Sequence, residues 1–271
     1  MKDNRWMTVL KGLIIGSTMI VPGVSGGSMA MILGIYDRLI SAISSFWKNK
    51  IDNLLFLILF ILSAGLGVFL FSTPLAWLME HYKMHTMYFF LGAVFGGIPL
   101  IENKSQIHKV TWDAFLYMLV GAGIIFLFSK IPDDTFQISA NRGIGNQFML
   151  FIAGILAAAA LVLPGISVSH FLLILGLYDE LLHAIRIMNL GFLIPLGLGL
   201  ILGIFLLTKI LEYVMSNYPK QSYLIILGFI FASVGEIFPG IPRGMDILWC
   251  TGLSFAGFLA VYHLTKREIK N

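Results

Sequence analysis

The chain reads PGVSGGSMAMILGIYD at residues 22–37 and PGISVSHFLLILGLYD at residues 164–179. When position 22 is aligned with position 164, half of the paired positions in the two stretches are identical. Unrelated apolar segments share Leu and Ile by chance, but they do not share Pro-Gly-x-Ser and Leu-Gly-x-Tyr-Asp at one fixed spacing. These stretches therefore indicate an internal repeat.

The repeat continues beyond these motifs at a slightly smaller offset, which aligns position 82 with position 218. Glycine and aromatic positions recur there: Gly67, Phe69, Tyr82, Gly92 and Phe95 match Gly203, Phe205, Tyr218, Gly228 and Phe231. Gly92 and Gly96 form a small-xxx-small pair, which lets helices approach closely in lipid. A duplication that covers both halves of an apolar chain is typical of transporters.

The composition predicts a protein whose solvent is lipid. The 271 residues are 58% hydrophobic and 12% charged, whereas a soluble domain has about 25% charged residues. The run at residues 54–78 exceeds the roughly 18 apolar residues that indicate a membrane span. Lipid requires internal pairing of every backbone group, and runs of this length favour helices over barrel strands. The sequence therefore predicts an all-α integral membrane protein.

Each repeat opens with a long, mostly apolar segment that Pro-Gly-x-Ser interrupts. Such a segment is too long for one span and too short for two spans with a normal loop. We therefore expect a re-entrant pair of half-helices with a buried loop, since irregular backbone at membrane depth needs protein or water around it. The prediction is one membrane domain with repeat one at 1–140 (re-entrant segment 12–46, spans 54–79, 86–101 and 111–129) and repeat two at 141–271 (re-entrant segment 147–186, spans 191–214, 222–238 and 246–264).

A re-entrant pair followed by three spans crosses the membrane an odd number of times, so the two repeats should be inverted. With both termini in the cytoplasm, twelve Lys and Arg residues fall inside and five outside, in keeping with the positive-inside rule. If each opening segment were one straight span, eleven Lys and Arg residues would fall inside and six outside, so the positive-inside rule favours the re-entrant model only slightly. The length of the opening segment is the stronger argument for that model. The net charge of +4 fits the same rule. The aromatic residues lie inside the spans rather than beside a basic patch, which argues against nucleic-acid binding.

The two Pro-Gly-x-Ser loops are the candidate anion site. Glycine lets backbone N–H groups face a ligand, and a helix N-terminus attracts negative charge. Two such N-termini that approach from opposite sides suit a phosphate or carboxylate near the midplane. In the alternative interpretation, Gly and Ser only cap the half-helices and allow tight crossing. The candidate ligands are Ser25, Gly26, Gly27 and Ser28 in the first loop and Ser167, Ser169 and His170 in the second.

Several ionisable residues near these loops are candidates for headgroup contact or coupling. His170 replaces Ser28 in the repeat and is either a hydrogen-bonded core residue or a group that binds an anion or relays protons. On an unbroken helix, Arg38 lies about 15 Å beyond Ser28, where it contacts a lipid headgroup or extends to the membrane surface. Ionisable groups within spans usually have a role, and the candidates for coupling are Asp37, Asp179, Glu180 and Glu236.

Catalysis and metal binding are not expected. The sequence lacks His-Glu-x-x-His, Gly-x-Ser-x-Gly and a phosphate loop with Lys. His81 and His85 have the spacing of metal ligands, but they lie in a polar turn and have no counterpart in the second repeat. We therefore predict a protein that is not an enzyme and has no metal or cofactor.

At residues 22–28 and 33–39, with their echo at 163–181, the chain resembles the bacterial polyprenyl-phosphate transporters (PopT), formerly a family of unknown function. The resemblance covers nearly the whole chain. It implies a plasma-membrane transporter that returns undecaprenyl phosphate from the outer to the inner leaflet, where the carrier lipid is reused in envelope synthesis. The second loop departs from a Gly/Ser-rich pattern at Val168 and His170.

The residues alone leave other functions open. A phosphate headgroup fits two helix N-termini, and a prenyl tail could stay in lipid through a lateral opening. A secondary transporter of a small organic anion and a non-transporting assembly protein are the alternatives. The expected partners are the polyprenyl-phosphate substrate and membrane lipids. The coupling ion, the preferred chain length and the oligomeric state, a homo-oligomer included, are left open.

Overall fold

The computed structural model describes residues 5–19, 21, 23–105, 112–133, 135 and 144–269. Pro22, Arg142 and the expected repeat boundary at 140–141 lie outside these residues. The described chain forms helices and no strands, which confirms the predicted all-α class. The helices are α1 (Arg5–Thr18), α2 (Gly26–Ile32), α3 (Tyr36–Ser44), α4 (Lys50–His81), α5 (Lys83–Lys104), α6 (Trp112–Phe128), α7 (Ile144–Val162), α8 (Val168–Ile174), α9 (Tyr178–Arg186), α10 (Leu190–Asn217), α11 (Pro219–Ile237) and α12 (Asp246–Ile269).

Within the described residues, six helices are long and apolar enough to cross a membrane: α4, α5, α7, α10, α11 and α12. Helix α6 is also apolar but has 17 residues. Large apolar side chains on these helices point away from the protein, such as Leu62, Phe69 and Ile201, each more than 60% exposed. A water-facing surface would not carry so much apolar area. The chain is a multi-pass membrane protein.

The segment after each loop differs from the single half-helix that the sequence predicted. Two short helices take its place, α2 and α3 in the first repeat and α8 and α9 in the second. Gly34 and Gly176 end the first of each pair with φ values of 74° and 68°, a conformation that glycine adopts without strain. The N–H of Ile35 then donates to the carbonyl of Ala30 at 3.0 Å, the bond of a Schellman motif. Helices α8 and α9 consequently meet at 106°.

Equivalent helices pair in equivalent ways in the two halves. Helix α1 packs along α4 as α7 packs along α10, while α5 packs along α12 and α6 along α11. A side chain at Gly92 would collide with the carbonyl of Ser254, and one at Gly228 would collide with the carbonyl of Met118. The small residues therefore permit the close helix approach that the sequence predicted.

Helix α5 defines the two ends of the bundle, which we call the Lys83 end and the Lys104 end. At the Lys83 end, the His85 ring lies 3.4 Å from the Asp246 carboxylate, which joins the beginnings of α5 and α12. At the Lys104 end, α5 meets α3 and the first turns of α11 through Asp37. The two loops lie between these ends.

Candidate functional site

The serine of each Pro-Gly-x-Ser motif caps the helix that follows it. Ser25 has extended backbone (φ −85°, ψ 138°), and its Oγ accepts a hydrogen bond from the N–H of Ser28 at 3.1 Å. Ser167 has nearly the same geometry, and its Oγ accepts from the N–H of His170 at 3.5 Å. An N-cap satisfies one of the free N–H groups of a first helical turn. The other N–H groups of a first helical turn have no partner within their own helix.

The two loops contact each other directly. The N–H of Gly165 donates to Ser28 Oγ at 2.8 Å and to Ser25 Oγ at 3.2 Å. Gly27 packs on the second loop, where a Cβ would come within 3.3 Å of the Leu163 carbonyl oxygen. The first loop therefore uses its hydroxyls partly to hold the second loop in place. The second loop's Ser167 makes no such bond to the first loop among the described residues.

A cavity of about 440 Å³ lies against both loops, and we call it the loop cavity. Five of the predicted ligands line it: Ser25, Gly26, Gly27, Ser167 and Ser169. The rest of its wall is almost entirely apolar and comes from the loops and from α1, α2, α3, α4, α7, α8 and α10. No charged residue of the described chain lines it. The loop cavity thus combines hydroxyl and backbone groups of both loops with a hydrocarbon-like wall.

A second cavity of about 750 Å³ lies at the Lys83 end, and we call it the Lys83 cavity. Its wall includes Lys83, His170, Glu236 and Ser129, and Ser167 lines both cavities. The sequence predicted a role for His170 and Glu236 but gave no reason to join them, since they lie far apart along the chain. Lys83 was not among the predicted site residues; it lies between His81 and His85, whose metal-ligand spacing was attributed to a polar turn.

The His170 side chain lies on the wall of the Lys83 cavity, beside Asp133 and Phe128. Its Nδ1 lies 3.8 Å from a carboxylate oxygen of Asp133. Its ring stands nearly perpendicular to that of Phe128, with 6.1 Å between the ring centres. Its Nε2 is buried and has no hydrogen-bond partner among the described residues. A buried imidazole nitrogen without a partner is unusual in a folded protein.

Asp37 and Arg38 line neither of these cavities. Asp37 Oδ2 accepts from Lys104 Nζ at 2.6 Å and from the hydroxyl of Tyr223 at 2.8 Å. Arg38 donates to Asn53 Oδ1 at 2.7 Å. These contacts tie α3 to α4, α5 and α11. Because Gly34 breaks the helix, the expected position of Arg38 on one continuous helix beyond Ser28 is wrong.

The remaining predicted residues are not brought into the cavities. Neither Asp179 nor Glu180 lines the loop cavity or the Lys83 cavity. Tyr36, by contrast, reaches across to the second repeat and donates from its hydroxyl to the carbonyl of Val162 at 2.9 Å. Among the described residues, no group of three or more His, Cys, Asp and Glu side chains is arranged to hold a metal ion.

Comparison with known proteins shows which family the chain belongs to. The profile of a family described as undecaprenyl phosphate translocase-like matches residues 15–245. The chain belongs to this family. A polyprenyl-phosphate transporter of Staphylococcus aureus is 32% identical over 268 residues, which cover 93% of each chain.

A second relative supports the same family. A polyprenyl-phosphate transporter of Vibrio cholerae is 27% identical over 250 residues, which cover 87% of this chain and 78% of the relative. No solved structure matches the chain. The recognition of this family from residues 22–39 and 163–181 is therefore confirmed.

Proposed function

We propose that this protein transports undecaprenyl phosphate from the outer to the inner leaflet of the bacterial cytoplasmic membrane, which returns the carrier lipid for reuse. The family and the names of both relatives support a polyprenyl-phosphate substrate. The observation that carries the proposal is the loop cavity, where polar groups of both repeats meet an apolar wall.

The loop cavity suits the two halves of such a lipid. A phosphate that leaves water needs protein donors, since a bare anion in a low dielectric is very costly. Ser25, Ser167 and Ser169 offer hydroxyls, and Gly26 and Gly27 bring backbone N–H groups without an obstructing side chain. The prenyl chain can lie along the apolar wall or leave between helices. The uncharged wall suits a small soluble anion less well, because such an anion has no hydrocarbon to bury there.

The transport cycle that we propose uses inverted repeats with re-entrant opening segments. Helix α5 begins at the Lys83 end, whereas its repeat equivalent α11 ends there, with the Phe238 ring 6.3 Å from that of Tyr88. At the other end, Lys220 at the beginning of α11 lies 3.9 Å from Asp113 at the beginning of α6. These contacts support opposite directions for equivalent helices. We assign the Lys104 end to the cytoplasm with both termini, because the larger share of Lys residues falls there.

Cysteine labelling in intact cells tests this topology. A cysteine in place of the exposed Asn49, between α3 and α4, should react with an impermeant maleimide only after the membrane is opened. A cysteine in place of Thr135 should react in intact cells. Labelling of position 49 from outside would refute the re-entrant topology, since a straight opening span would place that turn outside.

Reconstitution tests the transport itself. Undecaprenyl phosphate that is added to the outer leaflet of vesicles containing the protein should become inaccessible to an added phosphatase faster than in protein-free vesicles. Binding should discriminate undecaprenyl phosphate from undecaprenol by at least tenfold, since a charged hydrogen-bond acceptor is worth about 1.5–3 kcal/mol. Equal binding of the alcohol and the phosphate, or no change in phosphatase access, would refute the proposal.

A further inference from the structure

The Lys83 cavity opens at the surface, where Lys83, Ser129 and Glu236 are exposed, and its wall carries groups that can bind a phosphate. Lys83 offers an ammonium group, and the His170 ring lies on the same wall, with its Nε2 buried and without a hydrogen-bond partner among the described residues and its Nδ1 3.8 Å from the Asp133 carboxylate. The hydroxyls of Ser129 and Ser167 lie on the same wall. The Lys83 ammonium group and the Ser167 hydroxyl can donate to the oxygens of one phosphate, whereas the Ser129 hydroxyl already donates to the carbonyl of Phe126 at 3.0 Å. Within the described part of this wall, Glu236 is the single acidic residue.

An apolar groove of about 570 Å³ continues from this cavity between α6 and α11. Ser129 and Glu236 line both the cavity and the groove, so the two spaces share a wall. Leu119 and Phe126 of α6 are more than half exposed along the groove. At Gly123 a side chain would meet no atom within 4 Å. The groove therefore has an apolar lining, an unobstructed middle and a charged end.

We propose that the Lys83 cavity and this groove form a second binding site for a single-chain lipid phosphate, with the headgroup beside Lys83 and His170 and the hydrocarbon chain between α6 and α11. This proposal rests on the proposed function and adds a site to it. Ser167 borders both the loop cavity and the Lys83 cavity, so a headgroup bound at either site can contact its hydroxyl. The lipid phosphate would occupy this site before or after the loop cavity.

Substitutions that remove the charge of Lys83 or of Glu236 test the proposal, because they should change lipid-phosphate binding in opposite directions. An anion beside Lys83 is attracted by the ammonium group and repelled by the ionised Glu236 carboxylate. Lys83→Gln should therefore weaken binding of the lipid phosphate by about tenfold or more, while Glu236→Gln should strengthen it. Lys83→Arg keeps the charge and should stay within a few-fold of the parent. A residue with a purely structural role would not give this pattern.

The experiment is protection of a cysteine that replaces Ser129, in the full-length Cys250→Ala protein in lipid nanodiscs. Undecaprenyl phosphate should slow the reaction of this cysteine with a methanethiosulfonate reagent, and undecaprenol should not. The Lys83 and Glu236 variants should shift the protecting concentration in opposite directions. Gly123→Phe should reduce protection by obstructing the groove. Gly65→Phe on α4, where a side chain also meets no atom within 4 Å, is the matched control and should leave protection unchanged.

The outcomes separate this inference from the proposed function. Total lipid binding to the same nanodiscs is measured in parallel by native mass spectrometry. Normal total binding without protection of position 129 would overturn the second site and leave the loop-cavity transporter standing. Equal protection by inorganic phosphate at the same concentration would show a soluble-anion site and overturn the lipid proposal. Absence of all lipid binding would overturn both the second site and the proposed function.

Discussion

Ser167→Ala should lower the affinity of the purified protein for undecaprenyl phosphate by about ten- to a hundredfold. Ser167 borders both cavities, and its hydroxyl accepts a long hydrogen bond from the His170 N–H at 3.5 Å. It can therefore donate to a phosphate without losing a strong bond. The loss of a hydrogen bond to a charged group costs about 1.5–3 kcal/mol. Loss of the cap itself costs about 1 kcal/mol of stability, so melting temperature and affinity must be measured separately.

Ser233→Ala is the matched control for this variant. Ser233 is buried in α11 and donates to the carbonyl of Ile230 in its own helix at 2.8 Å. Its replacement removes a hydroxyl of the same kind away from both cavities and should leave affinity unchanged. Wild-type affinity of a well-folded Ser167→Ala protein would mean that the second loop is a structural break rather than a ligand site.

The first loop should respond differently from the second. Ser25 Oγ and Ser28 Oγ both accept from the Gly165 N–H, and Ser28 is buried. Substitutions there leave that N–H short of partners, which costs about 1–3 kcal/mol when the group is buried. Their effect on binding will therefore be mixed with an effect on the contact between the loops. Ser25 and Ser167 occupy identical positions in the repeat, so in the sequence only the replacement of Ser28 by His170 indicates this difference.

Local features of the site could be predicted from the sequence. A Ser before an apolar helical run is a regular N-cap, and both Ser25 and Ser167 have that role. The breaks at Gly34 and Gly176 were missed, although the sequence contained the evidence. A glycine followed by an apolar residue at the end of a short helix indicates a Schellman motif, and it occurs in both repeats. The length of the segment after each loop, taken alone, suggested one longer half-helix.

Contacts between distant residues could not be predicted from the sequence. Asp37 meets Lys104 and Tyr223, which are 67 and 186 residues away along the chain. Neither partner recurs in the other repeat, where the aligned positions hold different residues. Glu212 likewise accepts from Ser44 at 2.6 Å, and its equivalent in the first repeat is Ala76. A repeat pattern reports what the two halves share, whereas these contacts are what distinguish them.

The polar contacts of α3 anchor it to several other helices. Asp37 bonds to α5 and α11, Arg38 to α4, and Ser44 to α10. In α9, Asp179 occupies the position of Asp37 but is exposed. We therefore expect Asp37 to act by positioning α3 and the loop before it, in place of the coupling role that its location in a span suggested.

Lys104→Gln tests this positioning role and should lower the melting temperature by roughly 3–10 °C. The Lys104 and Asp37 side chains are 22% and 37% exposed, so the loss should be about 1–3 kcal/mol, less than for a fully buried pair. The double variant Asp37→Asn/Lys104→Gln should lose less stability than the sum of the single variants, since the two groups interact directly. Asp179→Asn, the repeat equivalent, should change stability by less than about 0.5 kcal/mol. Asp37→Asn should reduce transport only as far as it reduces the amount of folded protein. If Asp37→Asn abolishes transport at an unchanged melting temperature, Asp37 takes part in coupling and the positioning role is wrong.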